Sequence, residues 1–346
     1  MQTVITTVKK NTKYIFIFII LITSVASFFL GSTVEKNKYD KYLDTFSNLR
    51  ENSDKYRYIN PLIGGVSAPA TDVGIYSDIK KDVINYLKKE ELNGSLYSYS
   101  FYFRDMNTGF WFSDNESVNF SPASLFKLPI AIAIYKQIED NPSFENTAIV
   151  YTEEISDFNS VKQLNAESAL VIGRAYSVNE LVKKTLVHSD NGAKNLLLSV
   201  LEKKYLDELL SLLSFTEVDI NKTYEISSRK YANFLRILYG STYINESHSE
   251  FILKLLAGSD FKKGLVAGIP MDVDVAHKFG TYEIEDKVNN KSVTTVQLHD
   301  CGIVYHKSKP YTFCLMTKGK DEASLFRVIS NVSKMVYDYQ ELDSKE

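Results

Sequence analysis

Two cysteines among 346 residues exclude a fold built on a disulfide framework, and none of the five histidines has the spacing of a metal-ligand set. Prolines (7) and glycines (15) are scarce and no stretch is low in complexity or repeated, which excludes collagen-like, repeat and linker-dominated architectures. Charge of one sign is also missing: 40 Lys and Arg against 43 Asp and Glu leave a net −3, so no basic excess is offered to nucleic acid. What remains is an ordinary globular composition, 44% apolar and 24% charged, with enough chain for one large core or two modest ones.

A single long hydrophobic run breaks that average. Tyr14 to Leu30 is uncharged and mostly apolar and follows Lys9, Lys10 and Lys13. Its length fits both a short transmembrane helix and a long signal-peptide core. No A-x-A cleavage site and no lipid-accepting Cys follows, so we expect a retained anchor over 14–31, a cytoplasmic N-terminus over 1–13 and everything beyond Gly31 outside the cytoplasm. Residues 32–73 read as stalk and linker. Tyr39, Leu43, Phe46 and Leu49 share one helical face, compatible with a helix resting on a surface or with weak self-association, and Pro61, Gly64, Gly65 and Pro69 mark the passage onward.

From residue 74 to 346 the pattern predicts one globular domain. Asp78 to Lys89 is a helix and Leu96 to Phe103 a strand; Asn107-Thr108-Gly109 turns the chain into Phe110-Trp111-Phe112. Residues 123–138 are apolar on nearly every side, the mark of a buried helix. A helical middle over 178–256 precedes strands at 275–278, 294–298, 302–306 and 311–316, and a helix at 324–339 closes the chain. Strands at both ends with helices between predict an α+β fold, an antiparallel sheet of N- and C-terminal strands packed on a helical region.

Into that frame fall three short motifs: Ser124-Leu125-Phe126-Lys127, Ser189-Asp190-Asn191 and Lys278-Phe279-Gly280. S-x-x-K recurs at Ser77, Ser227 and Ser259, which read as helix N-caps, and a second S-D-N at Ser113 reads as turn chemistry. Only Ser124 heads a buried helix directly after a hairpin, with Lys127 three residues on and on the same face. A serine needs a neighbouring base to take its proton, and a lysine serves once burial or a second cation, for which Lys278 is the candidate, lowers its pKa. Gly280 permits close approach at the third motif.

The ordered set S-x-x-K, S-D-N, K-x-G resembles that of class A-like β-lactamases and their penicillin-binding relatives. Phe120-Ser121-Pro122-Ala123, Asn195-Leu196-Leu197, Val275-Ala276-His277 and Asp300 to Lys318 extend the resemblance. It implies an acyl-enzyme at Ser124, with Lys127 taking or relaying its proton, Ser189 passing one to the leaving nitrogen, and Asn191 binding the substrate amide. Lys278 supports Ser189 and attracts the substrate carboxylate, and the backbone N–H groups of Ser124 and Thr281 form the oxyanion hole. The implied substrate is a small or peptidoglycan-derived acyl compound, with no cofactor or metal.

Two departures stand out. The omega-loop glutamate that activates the deacylating water in class A enzymes has no counterpart; Glu225 is the nearest carboxylate and reads better as a helix-start residue. Phe279 occupies the position of the usual hydroxyl in the third motif. Weak β-lactam hydrolysis follows, and the alternatives are a membrane-tethered scaffold that kept the fold without turnover, or a peptidoglycan D,D-peptidase or esterase. With a turn near Lys307-Ser308, Cys301 and Cys314 face each other across a hairpin; a disulfide and two reduced core thiols fit equally.

Overall fold

A computed structural model describes residues 18–34, 56–61, 76–152, 170–213, 215, 225–288, 291–307 and 309–343, and divides the chain into two units, Met1–Leu49 and Arg50–Glu346. In the first unit residues 18–34 are helical and expose Phe18, Phe28, Phe29 and Leu30. Among the described residues no helix is long and apolar enough to cross a membrane, so the structure does not support the membrane helix expected over 14–31, of which 14–17 lie outside the described residues. The stalk positions Tyr39 to Leu49 and the turn markers Gly64, Gly65 and Pro69 lie outside them too.

The second unit carries a five-stranded sheet in the order β2-β1-β7-β6-β5. β1 (Leu96–Asp105) and β2 (Trp111–Asp114) form the N-terminal hairpin; β5 (Val275–Val288), β6 (Lys291–Val304) and β7 (Tyr311–Gly319) come from the far end of the sequence. All pairs are antiparallel, and β1 joins β7 in register from Ser98↔Lys318 to Asp105↔Tyr311. The α+β sheet of N- and C-terminal strands is therefore as the sequence predicts.

Alternation along β1 assigns its two faces. Phe101 and Phe103 meet Phe112, Phe313 and Tyr311, and Tyr76, at the start of α1 (Ser77–Leu92), packs on Phe103 and on Tyr339 of the C-terminal helix. Ser100 instead bonds Ser228 Oγ at 2.8 Å, on the helical side. That side holds α2 (Lys127–Asp140), α3 (Val178–Val187), α4 (Asn191–Val200), α5 (Lys203–Leu212), α6 (Ser228–Tyr239) and α7 (Glu246–Ala257). A minor two-stranded sheet, β3 (Ala148–Val150) with β4 (Ala175–Ser177), lies between α2 and α3 in sequence, and α8 (Glu322–Asp343) ends the described chain. In α2 Leu128, Ile130, Ala131, Ile132, Ala133 and Ile134 are all fully buried, so the helix is the axis of the core, each large side chain contributing roughly 1.5–3 kcal/mol.

The boundaries differ from expectation where polar residues are buried. The predicted strands 294–298 and 302–306 are one strand, β6, because the intervening His299, Asp300 and Cys301 have internal partners. β5 likewise runs through the third motif to Val288. Residues 123–126 form a 3₁₀ turn ahead of the α-helix. Cys301 and Cys314 are paired across β6 and β7 and joined as a disulfide, which decides between the two expectations for them.

Candidate active site

The 3₁₀ turn Ala123–Phe126 presents Ser124 partly exposed, and the first residue of α2, Lys127, is 2% exposed beneath it. Ala123 takes a positive φ of 47° and Ser189 one of 54°, conformations that cost about 1–3 kcal/mol each and require surrounding contacts to hold them. Those contacts are visible. Asp190 is the N-cap of α4, its Oδ1 accepting from Ala193 N at 2.7 Å, which fixes the loop between α3 and α4. Gly192 follows because a Cβ there would lie 2.9 Å from Tyr151 Oη.

The Lys127 ammonium position joins the first two motifs. Its Nζ stands 3.1 Å from Ser124 Oγ, 3.0 Å from Ser189 Oγ and 2.7 Å from Asn191 Oδ1, and it also donates to the Ser189 carbonyl. Lys278, fully buried in β5, brings in the third motif by donating to Ser189 Oγ at 2.9 Å and to the Phe279 carbonyl at 3.1 Å. Burial, with the Lys278 and Lys194 charges behind it, holds the Lys127 pKa well below the ordinary lysine value. Burial lowers Lys278 to about 7, partly offset by the Asp300 carboxylate. Both shifts run toward the deprotonated amine, the form in which a lysine can accept a proton.

Gly280 is required by the nucleophile's own backbone. A Cβ at this position would lie 2.8 Å from the Pro122 carbonyl oxygen and 3.1 Å from Ser124 N, so β5 can approach the turn only with glycine there. The strand thereby lies alongside the Ser124 amide. Thr281 is the next residue on β5, and its hydroxyl donates to Glu322 Oε1 at 2.9 Å. Of the expected site residues, Ser124, Lys127, Ser189, Asn191 and Lys278 form one hydrogen-bonded cluster and Gly280 touches it. Glu225 does not join: it is exposed, and the hydrogen bonds of Lys127 go to hydroxyl, carbonyl and amide oxygens. Residues 216–224, where an omega loop would fall, lie outside the described residues.

Several supporting residues escape a reading by motif. His299 is fully buried and ties β6 to the segment before the nucleophile: its Nε2–H donates to the Ser121 carbonyl at 2.9 Å while Nδ1 accepts from Thr317 N at 3.2 Å. Burial lowers its pKa to about 4, consistent with a neutral ring. His277 turns away from the cluster to Asp300 (2.8 Å) and the Phe261 carbonyl (3.1 Å). Asp300 Oδ2 in turn accepts from Leu265 N at 2.9 Å. The other serine motifs are elsewhere: Ser113 donates to Glu116, Ser227 is the N-cap position of α6, Ser77 is already helical and Ser259 follows α7, so of the three expected caps only Ser227 holds that place. Among the described residues no group of three or more His, Cys, Asp or Glu is arranged to hold a metal ion.

Comparison with known proteins agrees with the fold. Solved structures with the same fold include PBP-A (17% identity, TM-score 0.63, covering 77% of this chain and 96% of that one) and a class A β-lactamase from Mycobacterium abscessus (18%, 0.62, 75% and 99%). A β-lactamase from Chitinophaga pinensis is similar to the same extent (18%, 0.64, 76% and 99%). No curated protein matches the sequence. The family model described as "Beta-lactamase enzyme family" matches residues 81–340, most of the chain, and the protein belongs to that family.

Proposed function

We propose that the protein is an active-site-serine acyl-transfer hydrolase that forms an acyl-enzyme at Ser124 and releases the acyl group slowly. The observation that carries this reading is the wiring of Lys127. A neutral amine has two N–H bonds and one lone pair. The Ser189 carbonyl and Asn191 Oδ1 can only accept, so they take the two N–H bonds and leave the lone pair for a hydroxyl; Ser124 Oγ (3.1 Å) and Ser189 Oγ (3.0 Å) both stand in reach, and the latter already accepts from Lys278. In the acylation step Ser124 Oγ bonds the acyl carbon, its proton passes to Lys127 Nζ, and the bond to the leaving group breaks as Ser189 delivers its own proton there and takes the one held by Lys127, 3.0 Å away. Lys278 donates to Ser189 Oγ and so orients its proton outward. The backbone N–H groups of Ser124 and Thr281 receive the developing oxyanion.

Slow release is our reading of the same wiring: among the described residues no carboxylate is bonded to Lys127, and Glu225 is exposed. A variant of the structural neighbour PBP-A forms an acyl-enzyme complex with penicillin G, which supports the acylation half of this reading. The charge pattern Lys9, Lys10, Lys13 before the apolar run Tyr14 to Leu30 supports an extracytoplasmic domain held by an N-terminal anchor. To test the activity, the domain is incubated with a fluorescent penicillin and with activated thioesters, followed by intact-mass and peptide mapping. An adduct on Ser124 that is lost in Ser124→Ala is expected; no adduct, or an undiminished one in the variant, overturns the reading.

A further inference from the structure

Beside the acylation cluster, on the side where a leaving group would rest, the chain has built an unusual wall. Phe279 is 4% exposed, and its ring lies face to face with Phe261, centroids 3.6 Å apart and planes at 12°. Phe261 continues onto Phe326 of α8 at 5.6 Å. The Lys278 Nζ is 4.4 Å from the Phe279 ring centre while bonded to Ser189, so this aromatic surface directly abuts the catalytic cluster. It also lies against Lys278, the cation of the third motif.

The nearest hydroxyl is likewise committed. Thr281 Oγ1 donates to Glu322 Oε1, which sets a carboxylate from the first turn of α8 beside the oxyanion residue. On the neighbouring strand the register partners of Thr281 and Tyr282 are Leu298 and Gln297, neither a cation. Lys263 is exposed and held over the Phe326 ring at 5.2 Å, on the outer side of the stack. An incoming carboxylate at this wall would meet two rings and a fixed negative charge, with a cation already bonded to Ser189 and to the Phe279 carbonyl.

We propose that Phe279, Phe261 and Glu322 make this site selective for acyl donors whose leaving group carries no carboxylate, such as neutral esters, thioesters and amides. The proposal rests on the acyl-enzyme reading above and names its substrate class. A penicillin, which carries a carboxylate, is then a slower acylating agent than a neutral donor of similar intrinsic reactivity.

The test is a matched pair of thioesters with one acyl group, one releasing mercaptoacetate and the other mercaptoacetamide. In each, the Ser124 Oγ to acyl carbon bond forms, the carbon–sulfur bond breaks and the thiol leaves. The acylation kcat/KM is read from thiol release and checked by mass on Ser124. With each rate divided by that donor's reaction with a small free nucleophile, which removes the difference in thiol acidity, the neutral donor is expected to react at least about tenfold faster in the native protein. Glu322→Gln, close in shape, and Phe279→Thr, which restores a hydroxyl, are each expected to narrow that ratio at least about threefold. Equal or faster reaction of the carboxylate donor overturns the proposal. So does a preference that neither substitution moves, since a merely structural role for these residues would change both rates together. If neither donor modifies Ser124, the acyl-enzyme reading itself fails and the selectivity falls with it.

Discussion

The two sides of Ser124 are built differently. On one side Lys127, Ser189, Asn191 and Lys278 are interlocked within 3.1 Å, drawn from three separate places in the sequence around two buried amines. On the other, the candidate carboxylate Glu225 is exposed and bonded to none of them; the neighbouring Ile226 meets the site only through its backbone bridge to Phe120. On the proposed reading, the groups for taking the proton of the Ser124 hydroxyl are in place, whereas among the described residues no carboxylate joins the same network to activate a water. Acylation and deacylation thus make separate demands on one fold, and a chain can satisfy the first without the second.

The comparison is broken most directly through Lys127. Lys127→Met is expected to slow acylation by about 10³-fold, within the range for losing a general base, as measured by single-turnover adduct formation. In the native protein the acylation rate should rise with pH and level off well below the pH at which an ordinary lysine loses its proton, because the base works deprotonated and burial depresses its pKa. Gly280→Ala should cost about 10²-fold in the same assay, since its Cβ, 2.8 Å from the Pro122 oxygen, must push the nucleophile turn out of place.

Lys278 sharpens the comparison through stability. Its pKa is about 7 in the fold and about 10.4 in an unfolded chain, so between these values the unfolded state holds a proton that the fold does not. Stability should therefore rise with pH across that window, and below pH 7 the full cost of burying the charge is present. Denaturant titrations of Lys278→Met should lack this contribution, a difference of roughly 4–5 kcal/mol between the ends of the window. The smallest effect is expected at Glu225→Gln, where the rate of acyl release should change by less than about twofold. A loss of about 10²-fold or more would give Glu225 the role of water-activating base and erase the contrast between the two sides.

Much of the fold was legible because apolar patterning decides it: α2 is apolar all round and is the buried axis, and the tyrosine- and phenylalanine-rich stretch at Leu96 is a central strand. The expected cluster was legible because spacing three along a helix start puts Lys127 against Ser124. The strand ends were misjudged where burial makes polar residues compatible with a strand interior, as at His299 and Asp300, whose partners Ser121 and His277 are distant in sequence. Asp190 carried a readable signal, an acidic residue just before a helix, that the motif reading passed over. Phe261 carried none: its stack on Phe279 joins a loop to a strand that only the tertiary fold brings together.

The most direct test of the central claim is an intact-mass time course after brief exposure to an activated acyl donor and removal of the excess. The account predicts one acyl group per chain, on Ser124, persisting long after it forms and absent from Ser124→Ala. An unmodified protein, or an adduct equally abundant in the variant, would contradict it.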